Sequence, residues 1–562
     1  MKKIISLTIM SLAIAQATMA QDTYKNNLLT GTTDINGTAR YVGMGGAVGA
    51  LGGEISGISN NPAGIGGFSR SWASIGMGAT IQAATPIDGD SRAQYSFDHI
   101  GFVVALPNDD NRFNFAVNLQ KKLHFSHSLI ANNYNVGGLS QAAELAGLMS
   151  YYYNAYTTND RDGVKSLPSL AYGSGLYDIY DDVGDMLQYK TETCSYLRTT
   201  TGNLYALDFN ASGAVNNRFF WGVTLGVDIM SYRSTASYLE ERQGYFNNSP
   251  LPQYGIQDYT LGTNYKVRGA GFNFKVGTII CPIEENPFRF GIAIETPTWY
   301  SLKQQDVNIT LSSKWNNQGW NEEHGNYDYN GYDEGPYRGY YDYTTDSNGG
   351  YMEYNVHTPW KFRVSLADVH AGIVAWDLEY EYALNNFTKM GYPTSESNRW
   401  QDQSVTTDQD KEMNAMTKDI SRGVHNVRFG LEVLPTEHLA VRAGYNFYSK
   451  PYTSSAKFSQ FIDSFAMNKV TGTDFMNLGA TNIFTFGLGY HIKGFYANVA
   501  YKYRMQKGDF YAFNPDYQLN RESGHPLLNQ DANQFITEAT SLRPVEVNLD
   551  RHDITFTLGY EF

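Results

Sequence analysis

The most regular stretch of the chain is its end. In HDITFTLGYEF, Ile554, Phe556, Leu558, Tyr560 and Phe562 alternate with Thr555, Thr557, Gly559 and Glu561. A period of two predicts a strand with one apolar and one polar face. NIFTFGLGYHI repeats the pattern, with Phe484, Phe486, Leu488, Tyr490 and Ile492 on one face. After Lys493-Gly494, FYANVAYKYR sets Phe495, Ala497, Val499, Tyr501 and Tyr503 against Tyr496, Asn498, Lys502 and Arg504. A Lys-Gly link between two such runs predicts a hairpin. NVRFGLEVL with HLAVRAGYNFY, and WKFRVSLA with IVAWDLEYEY, form two further pairs in which Arg363, Glu379, Glu381, Arg428, Glu432 and Arg442 lie on the polar faces.

Fourteen such strands are predicted, near residues 71–83, 95–106, 111–124, 203–215, 218–239, 262–281, 287–304, 351–368, 372–386, 424–435, 437–450, 482–493, 494–508 and 551–562. Short links alternate with long ones at 125–202, 240–261, 305–350, 387–423, 451–481 and 509–550. A soluble sandwich would also alternate, but most of these runs reach the roughly 9–11 residues that a membrane strand needs. Their apolar faces carry many rings, and short turns alternating with long loops is the layout of an outer-membrane barrel. The fold class predicted is all-β: a transmembrane antiparallel barrel of about 14 strands, with an N-terminal plug inside it and some helix in the outer loops.

Composition agrees. The chain of 562 residues holds 43 Tyr, 30 Phe and 54 Gly at a mean hydropathy of -0.41. After the first segment it has no apolar run of about 18 residues, so no membrane helix is expected. Residues 1–20, MKKIISLTIMSLAIAQATMA, read as a signal peptide, with Lys2 and Lys3 before a short apolar run and Thr18-Met19-Ala20 as the cleavage site. Its removal takes the formal charge from -14 to -16. An acidic exported chain is a poor partner for nucleic acid. Cys194 and Cys281, far apart, are read as two separate thiols or a bridge; neither they nor any Cys/His cluster suggests a metal.

Two loop segments stand out. LSQAAELAGLMSYYY, residues 139–153, reads as a mostly apolar helix. Residues 305–354 collect Tyr327, Tyr329, Tyr332, Tyr337, Tyr340, Tyr341 and Tyr343 among Asn, Asp and Gly; they read as a structured surface loop or as a sugar-stacking surface.

The remaining puzzle is YVGMGGAVGALGGEISGISNNPAGIGGFSR at 41–70. A dinucleotide fingerprint fails, because Val48 stands where the last Gly belongs and no strand precedes it. A membrane helix fails on its glycines and Glu54. A compact segment inside the barrel remains: Gly permits tight turns and close approach to the wall, and Pro62 fixes a bend. Its low charge suggests an apolar lumen. Arg40 and Glu54 are expected either to pair there or to be solvated.

RYVGMGGAVGALGGEISGISNNPAGI resembles the N-terminal hatch of the FadL family of outer-membrane transporters for hydrophobic compounds. The resemblance rests on Arg40, Met44, Gly45, Gly46 and Ala47, followed by Asn61, Pro62 and Ala63. Thr358-Pro359, the Arg442-Ala443-Gly444-Tyr445 run, FTFGLGYHI and the terminal TFTLGYEF extend it to Phe562. It implies a hatch over 21–70, a barrel over 71–562, and passive uptake of hydrophobic molecules such as long-chain fatty acids. Ligand would be captured on helix-bearing outer loops, pass to an internal pocket, and leave through a kinked wall after the hatch shifts. The capture residues would be Leu139, Ala143, Leu145, Leu148 and Met149. No cofactor is implied. The surroundings expected are the outer membrane of a Gram-negative bacterium, with its lipid and lipopolysaccharide. The barrel assembly machinery would read the strand ending at Phe562, and the protein would act as a monomer. The long loops at 125–202, 305–350 and 509–550 depart from the family and leave the ligand open.

Three other classes are weighed. A barrel enzyme needs a nucleophile–His–acid set, and His357, His370, His491 and His552 sit in no such motif. A porin is suggested by the inward charges of Arg363, Glu379 and Arg442, and opposed by the Gly-rich plug. A surface binder would use the Tyr-rich loop, and a haemin receptor would use His124 and His127 as ligands to the iron.

Overall fold

The computed structural model describes residues 34–82, 92–108, 111–136, 140–142, 144–145, 167, 171, 190–243, 254–283, 286–317, 320–321, 326–327, 340–344, 352–393, 407–453, 472–513 and 543–562. Among them, fourteen antiparallel strands close into a barrel. They are β1 (Trp72–Gln82), β2 (Arg92–Asn108), β3 (Asn111–His124, continued by His127–Asn135), β4 (Lys190–Val215), β5 (Phe219–Gln243), β6 (Tyr254–Ile280) and β7 (Arg289–Glu295, continued by Trp299–Asn317). The circuit continues through β8 (Met352–His357 and Lys361–His370), β9 (Val374–Ala383 and Lys389–Pro393), β10 (Val424–Val433), β11 (Leu439–Tyr448), β12 (Phe475–Ile492), β13 (Phe495–Tyr511) and β14 (Val545–Asn548 and Arg551–Glu561). β14 pairs with β1 from Trp72↔Glu561 to Gln82↔Arg551, which leaves no free sheet edge.

The alternation has the sign of a membrane protein. Phe484, Phe486, Leu488, Tyr490, Ile554, Phe556 and Leu558 are exposed, while Asp98, Lys121, Asp208, Lys275, Glu379, Arg428 and Lys502 are buried. A soluble core would reverse both sets, so the outward rings face lipid and the inward charges face the lumen. On β5 the apolar outward positions run from Phe219 to Ile229 and then give way to Ser231, Arg233 and Thr235. Ten residues at ~3.3 Å span ~33 Å along the strand, or about 25 Å of height once it is tilted.

Tight turns join the strands at the end nearer the hatch segment. Asn216-Asn217, Ala371-Gly372 and Lys493-Gly494 each have both central residues at positive φ, from 46° to 84°. That is the turn whose twist matches the flanking strands. At the other end the strands run further than the pattern predicts: β4 begins at Lys190, β6 at Tyr254, and β7 reaches Asn317. Those extensions stand above the lipid and carry polar outward residues, so membrane periodicity does not mark them.

Besides α1 (Ala39–Gly43) in the N-terminal segment, helix α2 (Lys411–Ile420) stands on the long-loop side, capped by Asp410 and burying Met413, Met416 and Ile420. The sequence reading placed its helix at 139–153 instead. There Gln141, Ala142, Glu144 and Leu145 are helical and buried, and Leu139, Ala143, Leu148 and Met149 lie outside the described residues. Most of the Tyr-rich 305–350 segment lies outside them as well. Cys194 is buried near the long-loop end of β4, and Cys281 follows β6 at the turn end; both are free thiols.

Candidate functional site

Residues 34–67 touch β2, β3, β4, β5, β6, β7, β11, β12, β13 and β14. Thr38 caps α1 (Ala39–Gly43), accepting from Tyr41 N at 3.1 Å and donating to Glu54 Oε1 at 2.6 Å. Glu54 in turn caps the turn at Ile55–Ser59. Asn61 caps the next turn, Pro62–Gly67, with proline at the first position, where its missing N–H costs nothing. The Asn61 amide also donates to Gly49 O at 2.9 Å and to Thr278 O on β6 at 3.1 Å.

Close approach explains the glycines on both surfaces. Gly45, at φ +64°, lies so near β11 that a Cβ on Gly444 would stand 2.2 Å from Gly45 N. A Cβ on Gly277 of β6 would stand 2.0 Å from Asn61 Oδ1. No side chain fits at either place. Met44 is buried against Gly430 and Gly444, Gly46 packs on Tyr41 and Ile35 of its own segment, Ala47 is buried, and Ala63 packs on Ala214, Phe220 and Ile279. Gly45, Asn61 and Ala63 thus meet the wall directly, while the Arg40 side chain stays 27% exposed.

That surface is charged, which corrects the expectation of an apolar lumen around a low-charge segment. Backbone N–H and C=O groups of the segment need polar partners, and the wall supplies them as carboxylates and cations. Asp377 Oδ2 accepts from Ala50 N and Leu51 N, both at 2.9 Å. Asn60 donates to both oxygens of Glu379, which also pairs with Arg428. Arg40 forks onto Glu432 at 3.0 and 2.9 Å and donates to Gly53 O at 2.8 Å. Arg442 shares Glu432, and Arg363 bridges Glu295 and Glu381. Arg40 thus finds its hydrogen-bonded partner on β10, and Glu54 finds its own in Thr38 and Ser56. Burial holds the Glu54 carboxyl above the usual range, against the pull of Arg40. The inward charges that suggested a porin are tied together around the segment.

The upper lumen differs. Leu123, Phe125, Leu129, Tyr232, Met476, Leu478, Phe510 and Leu549 line a cavity of about 140 Å³. Arg198, Arg504, Arg551, Asp34, Asp474, His124 and His127 face it as well. Arg198 pairs with Asp474, and Arg551 with Asp34 and Asp553. Arg504 donates to Gln506 Oε1 at 2.9 Å, and its Nε has no partner among the described residues. The Nε2 atoms of His124 and His127 are likewise unpartnered. Asp34 links the two regions: Lys502 Nζ holds Asp34 Oδ1 at 3.1 Å, Ile35 O at 2.7 Å and Asn36 Oδ1 at 3.1 Å.

Between the two regions the wall is broken across three adjacent strands. β7 is interrupted at Thr296-Pro297-Thr298, β8 at Thr358-Pro359-Trp360 and β9 at residues 384–388. Each proline lacks the N–H a ladder needs. Thr358 N donates to Thr298 O at 3.1 Å across the break, and Trp360 and Phe387 stand exposed on its outer side. A second cavity, about 30 Å³, shares Arg504 and Gln506 with the first and reaches Lys361 and Ala383 at this seam.

The sequence placed Arg504 and Lys502 on a polar face, but nothing in it brings them to Asp34, His127 and Arg198. Of the other histidines, His491 stacks on Tyr496 and His552 on Tyr503, each at the barrel wall.

No family model and no curated relative matches this chain. Among solved structures it is similar to a Pseudomonas aeruginosa FadL homologue, at 11% identity and TM-score 0.47, over 95% of this chain and 99% of that one. It is also similar to the CymD monoaromatic hydrocarbon channel, at 9% identity and TM-score 0.45, over 94% and 98%. The Ralstonia pickettii toluene transporter TbuX gives 11% and 0.44, over 94% and 99%. Similarity at this level leaves function to be read from the lumen itself.

Proposed function

We propose that the protein is an outer-membrane channel for passive uptake of hydrophobic small molecules, gated by the segment 34–67. The observation that carries this reading is the apolar cavity whose Arg504 has no carboxylate partner among the described residues, bordered below by the ion-paired segment. Apolar walls offer a poorly soluble molecule a dry path past the polar outer surface. Arg504 suits an anionic head, so a fatty acid is the ligand we favour. Such a carboxylate would compete with Asp34 for Arg551 and Lys502, loosening the start of the hatch. The ligand would then leave through the β7–β9 seam by way of the second cavity. Nothing in this route calls for catalysis, a cofactor or a second subunit, and helical residues near Leu145 would contribute to capture.

A second reading is a single-ring aromatic ligand, because a cavity near 150 Å³ takes benzene. His124 and His127 share the cavity.

Uptake of labelled laurate by cells with and without the protein, beside a hydrophilic sugar, tests the reading. Selective loss of laurate uptake on deletion is expected; loss of sugar uptake alone would mean a porin. Thr298→Cys with Thr358→Cys tests the exit. The bridge should block laurate uptake and a reductant should restore it, whereas unchanged uptake in the oxidised form would exclude the seam.

A further inference from the structure

Above the lipid-facing band the outer wall is not uniform. Register sets Arg233 on β5 opposite Lys266 on β6, and Arg268 on β6 opposite Lys303 on β7. All four point outward. Arg233 and Arg268 are exposed, and the Lys266 and Lys303 side chains are 23% and 42% exposed. Arg233 and Arg268 lie four residues beyond Ile229 and Phe272, with Ser231 and Ala270 at the outward positions between them. That is ~13 Å along the strand, and ~10 Å above the band once tilt is allowed for, the depth of lipid head groups.

Among the described residues, two carboxylates belong to the patch. Asp306 takes Lys266, and Glu353 takes Lys303 at 3.4 Å. Asp306 also feels Arg268 and Arg233, but neither arginine has an ion-pair partner among the described residues. The neighbouring strand at this level offers only Thr199, Thr201 and Asn203. A chain of net charge -14 thus gathers surplus positive charge at one place on its outer wall.

We propose that this patch binds the phosphate groups of a phosphorylated glycolipid in the leaflet on the long-loop side. Guanidinium groups match phosphate with two parallel hydrogen bonds, and Arg233 and Arg268 are free to do so. Continuity with the apolar band decides for a lipid over a soluble anion. An amphiphile whose acyl chains lie on Ile229, Phe272 and Phe274 carries its head group to these residues. The site is independent of what the barrel transports.

The test uses the full-length protein, purified in mild detergent and stripped of lipid. Native mass spectrometry then follows the retention of bisphosphoryl lipid A, of the same lipid without phosphates, and of inorganic phosphate. Wild type should hold the bisphosphoryl form at least 5-fold more than the dephosphorylated form, and less so as salt rises. Arg233→Gln with Arg268→Gln should remove that preference. Arg233→Lys with Arg268→Lys should keep part of it, and Lys507→Gln on the distant β13 should leave it intact. Heat-modifiable gel migration confirms that each barrel is folded. Wild-type retention by the double Gln variant, an equal loss in Lys507→Gln, or displacement of the lipid by millimolar inorganic phosphate would each overturn the proposal. Should the double Gln variant not fold, a salt-independent preference in wild type overturns it equally.

Discussion

The lower and upper halves of the lumen are built on the same strands and solve opposite problems. In the lower half, Glu379, Glu381, Arg363, Arg428, Glu432 and Arg442 are buried and paired, and they grip a segment nearly free of charge. In the upper half, apolar side chains from β3 to β9 and β12 to β14 meet in one cluster with a cavity in it. Buried ion pairs hold geometry strongly when intact and fail badly when one partner is lost. Apolar contacts are non-directional and repack around a guest. The first kind of interior suits a seal and the second suits a ligand.

The largest expected effect comes from breaking the ion pairs of the lower half. Glu432→Ala strands Arg40 and Arg442, a loss of about 3–5 kcal/mol at a buried pair. The segment should loosen, and single-channel recordings should show ion conductance absent from wild type. A silent bilayer with the variant would mean that the pairs do not hold the plug.

The next effect belongs to the upper half. Arg504→Leu removes the cavity's cation that has no carboxylate partner among the described residues, worth about 1.5–3 kcal/mol to a charged ligand. Laurate affinity, read by calorimetry, should fall roughly 10- to 100-fold while dodecanol affinity holds. Equal losses for both ligands would reject a head-group role.

Asn61→Ala should act more mildly. It deletes one cap and two ties to Gly49 and Thr278, with about 1–2 kcal/mol lost from the cap. Deuterium exchange should quicken over residues 62–67 without an open pore. Unchanged exchange and unchanged uptake would remove Asn61 from the hatch. Phe486→Ala on the lipid face is the control: neither conductance nor ligand affinity should move, since Phe486 points away from the lumen.

The barrel was legible because its signal is local. Ile554 to Phe562 alternates in plain view, and Lys493-Gly494 announces its own turn. The Gly-rich segment was legible as something packed closely, because only a tight surface uses Gly45, Gly46 and Asn61-Pro62 together. Its partners were not. The pairing of Arg40 with Glu432 spans 392 residues, and no period or motif encodes which carboxylate a given arginine meets. Strand ends above the membrane were missed for the same reason that membrane ends were found. Once Ser231, Arg233 and Thr235 face water, the lipid no longer imposes apolar alternation.

By itself, then, the sequence determined the class of fold, the order of its strands and the side facing lipid. Each follows from the two-residue period of a strand or from backbone rules at Gly and Pro. Only the closed barrel decided the rest. Joining β1 to β14 brings Asp34 to Lys502 and Arg551, sets Arg504 beside His127, and aligns Pro297 with Pro359 in one seam. These neighbours come from distant parts of the chain, and a cavity exists only where their side chains fail to meet.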